Sequence, residues 1–163
     1  MATFHSRRLR RIALLGLLCV AALPKSAGPG GADIAIVVRP DVPIDSLTFP
    51  ELRRLMLGEK QYWTSSLRVT LLVRAPGARE REVLLRDIYQ MSEAQFRQYW
   101  IAKVFRAEAP SGPRIVYSND MAAELASSIP GAIAFVDASQ IPKGLKILKV
   151  NGLLPDQKGY PLH

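Results

Sequence analysis

Histidine and cysteine are almost missing from this chain of 163 residues. Both histidines stand at its extremities, His5 near the start and His163 at the end. The body between them therefore has no imidazole to serve as general base, metal ligand or triad member. The lone cysteine, Cys19, cannot close an intrachain disulfide, and a domain of this size needs none. Ser65 and Ser66 consequently lack a candidate base. Asp33, Asp41 and Asp45 lack the fixed glycine and terminal glutamate of a calcium loop. Glu80 and Glu82 point to different sides of a helix and make a poor acid–base couple. These absences argue against an enzyme and lead us to expect neither metal nor cofactor.

A long apolar run is missing too. The nearest to one is Ile12–Leu23 (IALLGLLCVAAL), well short of the ~20 helical residues that span a bilayer comfortably. It follows Arg7, Arg8, Arg10 and Arg11, and a basic start before a short apolar stretch is the pattern of a secretory signal peptide. Residues 1–27 are assigned to that leader and 28–163 to the exported domain, which places the protein in the periplasm. Val20-Ala21-Ala22 fits the small-residue cleavage rule, whereas Lys25 spoils a cut after Ala27. A leader retained as an anchor is the alternative. The leader holds five of the 22 Lys and Arg but none of the 14 acids, so 17 basic residues face 14 acidic ones in the domain. The whole-chain charge of +8 thus overstates any case for nucleic acid, which we do not expect as a partner.

Taken in order, Ala27–Gly31 is a flexible joint. Ile34–Val38 (IAIVV) is a continuous apolar run, the signature of a strand covered on both faces in a mainly parallel sheet. Arg39–Ser46, with two prolines, reads as a loop. Thr48 and Glu51 form a capping box for a helix over Phe49–Leu57, Pro50 sits in its first turn, and Leu52, Leu55 and Met56 make its apolar stripe. Gly58 ends it as a left-handed cap.

A strand follows at Arg68–Arg74, then a helix at Ala78–Met91. Ser92 and Gln95 cap the next helix, where Phe96, Trp100 and Val104 recur as a buried stripe beside Tyr99, with Arg97 and Lys103 turned outward. Arg114–Tyr117 is a short strand. Ser118 caps a helix carrying Met121, Leu125 and Ile129, Ala132–Val136 is a strand, and Leu145–Val150 alternates as a half-exposed edge strand does. The order β-α-β-α-α-β-α-β-β argues for a three-layer α/β domain.

Two of these stretches are distinctive. Leu47–Trp63 (LTFPELRRLMLGEKQYW) resembles the helix-and-loop segment of phosphate-type periplasmic binding proteins, typically L..IFLGK...W, and Pro130–Val136 (PGAIAFV) resembles their PGAIGYV. The resemblance runs from about Ile34 to the C-terminus and implies a periplasmic-binding-protein-like (type II) single lobe, the second of a two-lobed clamshell. In that family the turn after the strand resembles RADGSGT, in which arginine grips the oxyanion and the Ser-Gly-Thr amides and hydroxyls complete a cradle. This chain has RAPGARE at Arg74–Glu80.

Arg74 matches the arginine and Gly77 the glycine before the cradle. Ala78, Arg79 and Glu80 replace the serine, glycine and threonine, so two hydroxyl donors are gone. The resemblance implies phosphate or another oxyanion as ligand, with Arg74, Gly77, Ala78 and Arg79 as the binding groups and a membrane transporter as partner. The rival reading is a degenerate lobe without ligand that engages another envelope protein. Glu80 and Glu82 at a helix start suit its dipole by ~0.3–1 kcal/mol each, so an internal carboxylate can take the anion's place.

Overall fold

The sheet is deepest at β1, Ile34–Val38, where all five residues are buried. Successive side chains point to opposite faces, so Ile34, Ile36 and Val38 enter one core while Ala35 and Val37 enter another. This arrangement is seen in a computed structural model that describes residues 32–163; the expected leader at 1–27 and residues 28–31 lie outside the described residues.

Beyond β1 the elements are β2 (Ser46–Leu47), α1 (Phe49–Met56), β3 (Thr70–Arg74) and α2 (Arg79–Val83), which runs on as a π-helical segment at Leu84–Tyr89. Then come α3 (Glu93–Phe105), β4 (Arg114–Val116), α4 (Asn119–Ser128), β5 (Ala132–Asp137), a 3-10 turn at Ala138–Gln140, and β6 (Lys146–Val150). The six strands form one sheet in the order β2-β6-β1-β5-β3-β4.

The larger core lies between one face of the sheet and α1, α2 and α3, with Ile36, Val73, Phe135 and Leu148 meeting Leu52, Leu55, Ile88 and Phe96. The opposite face carries small residues. Ala35, Ala132 and Ala134 receive Ala122 and Ala126 of α4, and such small side chains let helix and sheet approach closely. The fold is thus the expected three-layer α/β arrangement.

Local chemistry sets the ends of the elements as the sequence foretells. The Thr48 amide donates to Glu51 Oε2 at 2.8 Å while the Glu51 amide donates back to Thr48 Oγ1. The Ser92–Gln95 box is formed in the same way. Gly58 has φ +66°, the left-handed geometry that glycine adopts without a Cβ penalty. Trp63 is buried, and its Nε1 donates to the Gly131 carbonyl at 2.9 Å, so the two resemblance motifs touch one another.

Several expectations need correction. β1 is covered on both faces, yet it pairs antiparallel with both neighbours, β5 and β6, and the sheet is mixed. β6 is not an edge, because Ser46, at the end of the foreseen loop, and Leu47 after it pair with Lys149 and Val150. The helix at 78–91 is not one regular α-helix: its second half is π-helical, and Gln90 ends it with φ +55°. The wider turn is supported from outside, since Arg53 Nη1 donates to the Ile88 carbonyl at 2.7 Å and the Tyr89 hydroxyl to the Met56 carbonyl at 2.9 Å. Full burial pushes the Tyr89 phenol pKa well above its ordinary value.

In α3 the buried stripe stops at Phe96 and Trp100, because Val104 is exposed. Lys103, expected outside, is buried; its stem packs beside Gly58 and its ammonium lies 3.4 Å from the Tyr99 hydroxyl and 3.9 Å from Glu108. A flexible lysine stem covers apolar surface while its charge reaches the rim.

Candidate functional site

β3 ends at Arg74, and the chain turns through Ala75, Pro76 and Gly77 into α2. Gly77 has φ +85° with open space around the position of a Cβ, so backbone sign and not crowding calls for glycine here. The Ala78 amide donates to the Ala75 carbonyl at 3.2 Å, closing the turn. Ala78 stands at the N-cap with no side-chain acceptor to offer the helix. A serine there would cap the first turn; alanine leaves that task undone.

Arg74 turns inward, with its side chain only 14% exposed. Its Nη1 donates to Glu80 Oε1 at 3.1 Å and to Asn119 Oδ1 at the start of α4. Nη2 reaches the Tyr117 carbonyl at 3.5 Å. The Glu80 side chain is 8% exposed, so both members of the pair are largely out of water. Asn119 is held in turn, its Nδ2 donating to Gln140 Oε1 at 3.0 Å. The Arg74 Nε is buried and has no hydrogen-bond partner among the described residues.

A second arginine braces this corner from the other side. Arg81 Nη1 donates to the Arg74 carbonyl at 3.0 Å, while its Nε and Nη2 grip Glu93 at 2.6 and 2.8 Å. This is the bidentate fork that suits arginine to a carboxylate. The guanidinium also lies 4.7 Å from the centre of the Phe96 ring. That fork holds the Glu93 carboxyl below the usual carboxylate range.

The four residues singled out in the sequence therefore have different situations. Arg74 and Gly77 sit at the strand–helix turn, and the Ala78 amide is engaged within that turn. The Arg79 guanidinium donates to the Ala32 carbonyl, tying α2 to the start of the domain. Glu80 and Glu82 part company, the first buried against Arg74 and the second exposed. Sequence reasoning missed Asn119 and the Arg81–Glu93 fork. Ser118 was legible as a cap, and its Oγ does accept from the Met121 amide at 3.0 Å, but nothing marked the asparagine beside it as a partner of Arg74. Among the described residues no group of three or more His, Cys, Asp or Glu could hold a metal ion.

No protein-family model matches the chain. Solved structures do. An ABC-type phosphate transport receptor from Vibrio cholerae superposes with a TM-score of 0.61 at 18% identity, over 76% of this chain and 48% of that one. PstS from Borrelia burgdorferi gives 0.62 at 21% identity, over 80% and 54%. The fold is that of a phosphate-type substrate-binding protein. A putative phosphate ABC transporter substrate-binding protein with bound phosphate from Clostridium perfringens agrees, at 0.60 and 15% identity over 75% and 46%. This chain spans about half the length of each of these three proteins. Its likeness to them is one of backbone architecture.

Proposed function

We propose that the protein is an exported, non-enzymatic lobe of the substrate-binding type in which Glu80 stands in for the bound anion, and that it works by engaging a partner protein in the cell envelope. The observation that carries this reading is the buried Arg74–Glu80 pair at 3.1 Å. An incoming phosphate would have to displace that carboxylate or lie beside it, and like charges in a partly desolvated site repel. The leader at 1–27 supports export to the periplasm. Among the described residues no helix is long and apolar enough to cross a membrane.

A second reading keeps the oxyanion as ligand and a membrane transporter as partner. The buried, unpartnered Nε of Arg74 favours it, since an anion that swung Glu80 aside would find a waiting donor. The amides of Gly77 and Arg79 would complete that site, the Ala78 amide being engaged by the Ala75 carbonyl. Melting of residues 28–163 with and without millimolar phosphate separates the two. An unchanged midpoint supports the internal carboxylate; a rise that Arg74→Ala abolishes overturns it in favour of anion recognition.

A further inference from the structure

Helix α3 is apolar on two sides. Phe96 and Trp100 face the core, but Ile101, Val104 and Phe105 are 60%, 39% and 89% exposed. Single exposed apolar residues are ordinary, whereas contiguous ones mark contact surfaces. These three fall at i, i+3 and i+4 and so share one patch. The patch continues into a groove of about 640 Å³ between α3 and the outer strand β4, walled by Pro113 and Ile115. No acidic side chain lines it. Its charged lining residues are both arginines, Arg97 and Arg81, and Arg81 is already committed to Glu93.

We infer that this groove receives an amphipathic helix of another envelope protein, one that carries Asp or Glu beside its apolar ridge. This deepens the partner-binding reading above and rests on it. The stretch from Arg97 to Phe105 covers two helical turns, ~12 Å at 1.5 Å per residue. That length suits a partner presenting apolar anchors at i, i+3 or i+4, and i+7. Arg97 at the groove would meet an acid flanking those anchors, and this complementarity selects the partner's charge and its register. A second copy of this chain fits less well, since the groove's own lining has no acid to offer an arginine of another copy. A bilayer also fits poorly, because a groove with walls on both sides admits a ridge and not a flat surface.

The test places a photo-crosslinking residue at Phe105 of the full chain, produced in its native host, and sequences the peptide to which it attaches. The expected adduct is a peptide of another protein with apolar residues at helical spacing and acids next to them. Its yield should fall at least tenfold with Ile101→Asp and with Arg97→Glu, while circular dichroism of both variants stays unchanged. Attachment to another copy of the chain, attachment to lipid, a basic peptide, no adduct, or a yield indifferent to Arg97→Glu would each overturn the inference. A phosphate-dependent rise in melting temperature would instead overturn the reading of Arg74 and Glu80, so the two failures are distinguishable.

Discussion

Arg74 Nη1 lies 3.1 Å from Glu80 Oε1, with both side chains largely withdrawn from water. Removing one member of such a pair leaves the other charge buried and uncompensated, at a cost of about 3 kcal/mol. Glu80→Gln should therefore lower the urea midpoint of residues 28–163 by that equivalent. The variant should also gain what the parent lacks. Millimolar phosphate should restore part of the lost stability in Glu80→Gln and do nothing for the unaltered protein. If phosphate leaves both midpoints alone, Glu80 is a structural counter-ion and not a stand-in for a ligand.

Two glycines of positive φ should respond differently to alanine. At Gly131 an added Cβ would lie 1.9 Å from the Arg68 carbonyl oxygen, and φ is +71°. The Gly131 carbonyl also accepts from the Thr70 amide at 3.1 Å, so relief would require parting β3 from β5. Gly131→Ala should abolish soluble expression. Gly77→Ala meets nothing within 4 Å and should cost only the left-handed backbone penalty, ~1–2 kcal/mol, readable as a modest drop in denaturant midpoint.

The contrast shows what a sequence reveals and what it hides. The capping boxes at Thr48 and Ser92 involve residues three apart and read directly from spacing, as does the glycine that ends α1. The two faces of β1 follow from alternation, but its antiparallel partners do not, because a fully buried strand looks the same whichever way its neighbours run. Arg74 was legible from its place before the turn. Its contacts were only half so, since Glu80 is six residues away while Asn119 is 45 away across β4. The exposed Val104 was misread because helical period shows which residues share a face and not where the packing neighbours end. Lys103 went unseen because its long apolar stem makes a charged residue behave as core.

Glu93 supplies a pH dependence. Its carboxyl is held below the ordinary range by the Arg81 fork, and its folded pKa is thus lower than its unfolded one. A depressed carboxylate contributes stability above the unfolded value of about 4.3 and loses it as pH falls through the folded value. Denaturation between about pH 5 and pH 3 should therefore be steeper in the parent than in Glu93→Gln, whose stability should vary less over that window. Equal slopes would show that the fork contributes no linkage.

The bond from Trp63 Nε1 to the Gly131 carbonyl joins the loop after α1 to the turn into β5, across 68 residues of chain. The carbonyl keeps the Thr70 amide if the indole is lost, so it would not be orphaned. The indole is 7% exposed, and replacing it with a phenyl ring removes the donor together with some packed volume. Trp63→Phe should accordingly cost about 1 kcal/mol for the hydrogen bond plus a similar amount for the cavity. Thermal unfolding should show a lowered but still single transition, since the sheet pairing on either side is intact. A loss no larger than that of an exposed aromatic such as Tyr62→Phe would mean that the two motifs touch without stabilising each other.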